Sequence, residues 1–284
     1  MSRDFLDQVK FLHNYEEFLD LVETIYRNAD IYDVVSNHHF VVVGGQALAF
    51  WYARFILSEG RFDEFQSAYS EDLDFFGDPS AIEFCERQLG TRFQRPQNFD
   101  STVNLAMLSY QIGNPQRNVI IDILHSVGGL IKEEILSGIE LLPIRGMDVP
   151  VINPLLCLRS RVHNFYAPYK ADKLNELNRI GLCVQFVNAF LTEKLESSGW
   201  SRDISKACES IFALCLSEEG RKLYCKNGMD LLEAIPVRPD LMHQAFIEKQ
   251  LPRMAAHIDS ERLRMHKHLL RFDKDFDGTH SFTP

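Results

Sequence analysis

Ser70-Glu71-Asp72-Leu73-Asp74-Phe75-Phe76 is the stretch on which the reading of this chain turns. It reads as a β-strand closed by Gly77-Asp78-Pro79. Successive side chains of a strand point to opposite faces, so Asp72 and Asp74 project from one face while Leu73 and Phe75 enter a core from the other. Two carboxylates side by side repel each other, and one pKa rises unless a cation lies between them. Their hard oxygens suit Mg²⁺ or Mn²⁺, which sites acting on phosphates hold with few carboxylates plus the substrate's own oxygens. A solvated acidic patch on an edge strand is the competing reading, and Asp-x-Asp alone does not decide between them.

Two neighbouring segments add to the picture. Upstream, the β-branched run Phe40-Val41-Val42-Val43 ends at Gly44-Gly45, and Gln46 to Ala53 then resumes a helical pattern. The order is strand, glycine turn, helix. A glycine pair at such a turn lets the backbone approach a ligand, and the N–H groups at the helix start favour phosphate. No Gly-Lys-Ser/Thr follows and no G-x-G-x-x-G is present, so neither a Walker loop nor a dinucleotide turn is predicted; a turn with only a packing role is the alternative. Downstream, Val119-Ile120-Ile121-Asp122-Ile123-Leu124 reads as a second apolar strand. A lone carboxylate in such a run is costly to bury without a partner. By alternation Asp122 shares a face with Ile120 and Leu124. If that face adjoins Asp72 and Asp74, three carboxylates converge; otherwise Asp122 bonds a nearby turn. His125 lies close enough in sequence to line the same site.

Further out, Tyr15, Phe18, Leu19, Val22, Ile25 and Tyr26 recur at helical spacing, which predicts a helix over about 14–27. Arg61 to Tyr69 reads as a loop or short helix. A helix is expected from Ser80, as N-cap, to Leu89. Val103 to Tyr110 is a strand candidate separated from Val119 to Leu124 by the turn signal Gly113-Asn114-Pro115, and two short strands flank Pro143 and end at Val151. Asn153-Pro154 resembles a helix start. From there helical periodicity dominates: Leu155 to Phe165, Lys173 to Leu195, Ile204 to Leu216 and Leu241 to Leu270. The expected fold class is α+β, a mixed β-sheet flanked by helices over residues 1–152, followed by an all-helical domain over 153–284.

Bulk properties narrow the function classes. A hydrophobic fraction of 45% and a charged fraction of 25% describe an ordinary packed protein rather than a disordered one. The net charge of −10 opposes a large, generally basic nucleic-acid surface, although a local basic groove stays compatible with it. None of the six cysteines forms a Cys-x-x-Cys pair, so a disulfide framework or zinc site is not expected and reduced thiols are. No apolar run approaches the roughly 20 residues that span a bilayer, and Met1-Ser2-Arg3-Asp4 lacks a signal-peptide core; a cytoplasmic location without membrane association is expected. Asp273-Lys274-Asp275-Phe276-Asp277-Gly278 copies the start of an EF-hand loop but lacks its position-12 Glu, so an acidic tail is the better reading. Arg262, Arg264, Lys267 and Arg271 give a mildly basic helix that reads as a solvated face before it reads as an RNA contact.

Taken in order, Val43-Gly44-Gly45-Gln46-Ala47-Leu48, then Tyr69-Ser70-Glu71-Asp72-Leu73-Asp74-Phe75, then the strand with Asp122, resembles the polymerase-β-like nucleotidyltransferase superfamily. The wording is most similar to the abortive-infection AbiE-type toxin branch. The resemblance spans roughly residues 38 to 165. It implies an Mg²⁺-dependent (or Mn²⁺-dependent) enzyme that moves an NMP from an NTP to a hydroxyl acceptor, a tRNA 3′ end or another RNA, with a protein side chain or an antibiotic as alternative acceptors and an antitoxin protein as partner. Asp72 and Asp74 would ligate the metal, and Asp122 would complete the site and orient, or help deprotonate, the attacking hydroxyl. Gly44 and Gly45 would hold the triphosphate with Ser70 as an additional contact. The branch also tends to carry a Lys followed by an Arg-Asp or Lys-Asp element after the sheet; Arg159 and Arg161 are the phosphate-contact candidates there, near Lys170, Asp172 and Lys173, with solvated helix charges as the competing reading. A catalytically inactive member that binds nucleotide, RNA or a protein is the alternative.

Overall fold

The computed structural model describes residues 3–56, 72–97, 102–113, 116–166, 173–273 and 276, with 3–14 as backbone only. By its contacts the chain divides into two units, Met1–Ser160 and Arg161–Pro284. The division falls inside a helix, a little beyond the change of texture at Asn153.

The first unit is built on a mixed sheet. Its strands are β1 (Val41–Val42), β2 (Asp72–Phe76), β3 (Asn104–Ile112), β4 (Arg117–Leu124), β5 (Ile139–Ile144) and β6 (Met147–Ile152). They lie in the order β3-β4-β2-β1-β6-β5. β2 runs parallel to β4, β1 parallel to β6, and the remaining neighbours are antiparallel. Pro143 is tolerated because β5 is an outer strand, where a missing N–H costs no ladder bond.

Helices α1 (Arg3–Tyr26), α2 (Ile31–Ser36), α3 (Gly44–Phe55), α4 (Pro79–Leu89), α5 (Lys132–Ser137) and α6 (Pro154–Phe165) complete the element list around this sheet. The core follows from the alternation read in the sequence. Leu73, Phe75, Ile121 and Ile123 are fully buried, as are Val22 and Ile25 of α1. Phe40 stacks on Phe75 with ring centroids 4.1 Å apart, and Tyr26 and Phe84 close the cluster from α1 and α4. Each such ring, once buried, contributes about 1.5–3 kcal/mol, which holds β2 by its apolar face.

Local punctuation differs from the sequence expectation at two places and agrees at a third. Ser80 is not the cap of α4: Asp78 is, accepting from the Ser80 N–H at 2.9 Å, because Pro79 fills the first helical position without needing an N–H. The glycine pair is not a turn before a helix; Gly44 is already the first residue of α3. Asn153 caps α6 as expected, accepting from the Leu156 N–H at 3.0 Å.

The second unit is helical: α7 (Lys173–Ser198), α8 (Arg202–Leu216), α9 (Glu218–Asn227), a 3₁₀ turn Leu231–Ala234, a π-helical turn Phe246–Gln250 and α10 (Leu251–Phe272). Ser217 ends α8 and caps α9, accepting from the Gly220 N–H at 2.9 Å, so a short helix that periodicity did not separate is set off by one serine. The helix expected over 241–270 begins as α-helix only at Leu251, where Pro252 sits in the first turn.

Candidate active site

The register of β2 against β4 settles where Asp122 points. Asp72 pairs with Ile120 and Asp74 with Asp122 in a parallel ladder. Paired residues share a face and neighbouring strands lie about 4.8 Å apart, so Asp72, Asp74 and Asp122 stand on one face with Asp74 and Asp122 adjacent. Asp72 is exposed and the other two are half-buried. Burial, and then the charges of Asp74 and Asp72, push the Asp122 carboxyl up to about 6. The electrostatic cost foreseen from Asp-x-Asp therefore falls on the third carboxylate.

Gly44 packs against this set. Its backbone is left-handed, with φ +64°, and a Cβ built there would lie 2.0 Å from Asp74 Oδ2 and 2.7 Å from its Cγ. Any other residue would displace the carboxylate. The Val43 N–H donates to the Asp74 carbonyl at 2.9 Å, tying the start of α3 to β2. Val43 gives α3 no side-chain cap. The positive end of α3 thus begins against Asp74, which leaves the first-turn backbone beside the carboxylates.

The other expected residues fare differently. Ser70 lies outside the described residues, as do Lys170 and Asp172. Arg159 is committed to a two-pronged ion pair, Nη1 to Glu134 Oε1 at 2.8 Å and Nη2 to Oε2 at 3.2 Å, which holds the Glu134 carboxyl below its ordinary range. Arg161 is buried, with Nη1 3.3 Å from Glu176 Oε2, and Glu176 also accepts from Arg179 at 2.8 Å. Both guanidiniums are held in ion pairs, a state that side-chain charge in the sequence does not reveal. His125 is exposed, with Nε2 3.3 Å from the Thr102 carbonyl rather than directed to Asp122. Of the EF-hand-like stretch, Asp273 pairs with Lys226, and residues 274, 275, 277 and 278 lie outside the described residues.

One site residue was missed in the sequence. Asn104 Nδ2 donates to Asp122 Oδ1 at 3.0 Å. Alternation along β3 would have placed Asn104 with buried Ala106 and Leu108, so no sequence signal pointed to it.

The donor set has a definite capacity for a divalent cation. Among the described residues no three His, Cys, Asp or Glu side chains are grouped so as to hold a metal ion by themselves. Adjacent Asp74 and Asp122, with Asp72 on the same face, nonetheless fit the way Mg²⁺ is bound with a nucleotide, by one or two carboxylates plus phosphate oxygens. No described helix is long and apolar enough to cross a membrane.

No family model matches the chain, and no curated protein matches it. Among solved structures it is similar to the crystal structure of an antigenic nucleotidyltransferase-like protein from Paracoccidioides brasiliensis, at 14% identity and a TM-score of 0.41 over 80% of this chain and 97% of that one. A likeness of that degree assigns neither substrate nor activity.

Proposed function

We propose that this protein is a nucleotidyltransferase of the polymerase-β-like type, moving an NMP from an NTP to a hydroxyl acceptor. One observation carries the reading: the parallel register that sets Asp74 beside Asp122, with Asp72 on the same face and the glycine start of α3 against Asp74. A solvated acidic patch needs no helix N-terminus packed on it; a site for a metal-bound triphosphate does.

Asp72 and Asp74, completed by Asp122, would hold Mg²⁺ or Mn²⁺, which supplies neutralisation of charge on the phosphates. The N–H groups of Gly44 and Gly45 bind phosphate oxygens at the start of α3. The carboxylate of Asp122 takes the proton of the acceptor hydroxyl as its oxygen attacks the α-phosphorus in line; the bond to the bridging oxygen breaks and pyrophosphate leaves. Ser70 is retained as a further phosphate contact. Arg159 and Arg161 would have to exchange their glutamates for phosphate to contribute.

For the acceptor we assign RNA, a tRNA 3′ end, in a cytoplasmic toxin–antitoxin or phage-defence setting with an antitoxin protein as partner. The similarity of Val43–Leu48 and Tyr69–Phe75 to AbiE-type toxins supports this choice. The experiment follows labelled NTPs into RNA and protein pools. Asp74→Asn is expected to cut transfer by roughly 10²-fold or more; undiminished transfer by the variant removes the carboxylates from the mechanism.

A second reading, a nucleotide- or RNA-binding protein without transfer activity, is favoured by the ion pairs that occupy Arg159 and Arg161. Calorimetric titration of the four NTPs with and without Mg²⁺ separates the two. Binding indifferent to Mg²⁺ supports the inactive reading.

A further inference from the structure

We propose that Asn104 is a positioning residue that sets the orientation of the Asp122 carboxylate for metal binding and proton transfer. The inference rests on the nucleotidyl-transfer reading of the site and assigns a role to a residue outside its carboxylate and glycine motifs.

The geometry of β3 carries it. From Ile112↔Arg117 to Ala106↔Ile123 the antiparallel pairing with β4 is regular, and Met107 faces Asp122. Continued unchanged, it would set Leu105 opposite Leu124 and turn Asn104 to the apolar face with Ala106 and Leu108. Instead the register shifts between Asn104 and Ala106, and Asn104 pairs with Leu124. The extra residue reverses the alternation and brings the Asn104 side chain onto the carboxylate face, where its amide reaches Asp122 Oδ1 at 3.0 Å. Bulges disrupt a ladder locally and are used to re-aim a side chain.

The irregularity is supported on both strands. The Asn104 N–H donates to Thr102 Oγ1 at 3.1 Å, and the His125 N–H to the Val103 carbonyl at 3.0 Å. The backbone is thus held in the shifted register by bonds of its own, independent of the contact to Asp122.

An amide suits the task. It donates without titrating, it favours the ionised carboxylate, and it fixes the rotation of a group that must face a cation beside Asp74. A lysine there would compete with the cation for Asp122, and a carboxylate would add a fourth negative charge. Groups that orient metal-bound carboxylates in this way typically matter by roughly 10–100-fold in affinity or rate.

The test uses the full chain with Mn²⁺ and a non-hydrolysable NTP analogue that supplies the phosphate oxygens, read as paramagnetic broadening of backbone amide signals in β2 and β4, with thermal melting as the check on folding. Asp74→Asn is the reference for the site itself, and its broadening is expected to vanish. Asn104→Ala and Asn104→Ser, the second being compatible with the bulge backbone and too short to reach Asp122, are expected to need roughly tenfold more Mn²⁺ for the same broadening. Their kcat should fall while KM for the NTP stays near wild type, and Asn104→Gln, which restores an amide, should recover part of both losses. Wild-type Mn²⁺ response in a folded Asn104→Ser, alongside loss in Asp74→Asn, overturns the role of Asn104 and leaves the carboxylate site standing. A wild-type response in Asp74→Asn instead removes the site, and the role of Asn104 with it.

Discussion

Among single residues, Asp122 and Gly44 carry the cost of the carboxylate cluster. The Asp122 carboxyl is raised to about 6 by burial and by Asp74 and Asp72. A raised acid holds its proton in the folded state over a pH range where the unfolded chain has lost it. The stabilising contribution is therefore complete below about pH 4 and is lost as pH rises through about 6. Asp122→Asn, which keeps an acceptor for Asn104, escapes this loss. In metal-free buffer its stability relative to wild type, from urea midpoints, should grow from near zero at about pH 4 to about 1 kcal/mol at about pH 7.5, a figure already reduced for solvent screening of a half-exposed group. A difference that does not change with pH would show that the Asp122 carboxyl is not raised in the folded chain. Gly44 is tested from the other side. Gly44→Ala adds a methyl where Asp74 lies and forces an L-residue to φ +64°, costing roughly 1–2 kcal/mol of backbone energy alone. Transfer should fall well beyond what the lost stability explains, measured by comparing rate with urea midpoint.

Among the elements, the position of each carboxylate depends on how its strand is held. β2 is short, and its apolar residues Leu73 and Phe75 fasten it from the face opposite the aspartates. The chain then leaves through Gly77 into the cap of α4. Asp78 accepts from the Ser80 N–H and hydroxyl, at 2.9 and 2.7 Å, and contacts His39 Nδ1 at 3.0 Å, so it joins the end of β2 to the segment before β1. Asp78→Ala should cost about 1 kcal/mol, a typical loss for an N-cap, seen as a lower urea midpoint with unchanged slope. Strand and helix types in this region were legible from alternation, β-branching and Gly/Pro punctuation. The caps and bulges were less so. Ser80 and Asp78 are both good capping residues, and only the placement of Pro79 at the first helical position selected Asp78. The shift at Asn104 is set by long-range pairing with β4, which no local pattern records.

Across the whole molecule, each of the two units carries its own buried core, and all six cysteines belong to these cores. Burial pushes the thiols of Cys183, Cys208 and Cys215 up to about 12 and raises those of Cys85 and Cys225. The thiolate of a cysteine attacks an aromatic disulfide reagent and expels the coloured aromatic thiolate, so the native protein should give almost no signal at about pH 8, and denaturant should make all six thiols reactive. Rapid reaction of even one thiol in the native state would place it at the surface. The net charge of −10 belongs to this scale as well. With Arg159 and Arg161 held by Glu134 and Glu176, the two arginines expected to face phosphate add no uncompensated charge, while the start of α3 lies against Asp74.

Local sequence was enough to give the α+β order, the strand faces, and the placement of Asp72 and Asp74 on one face of their strand. Each of these comes from periodicity or composition, because a period of two fixes which side chains share a face and a hydrophobic run fixes which face is buried. It took the folded chain to establish that β2 runs beside β4 in the register that sets Asp74 against Asp122, that a bulge turns Asn104 onto the same face, and that Arg159 and Arg161 are spent on glutamates. These depend on contacts between residues far apart in the chain, and sequence periodicity carries no information about which strand lies next to which, or which carboxylate an arginine finds.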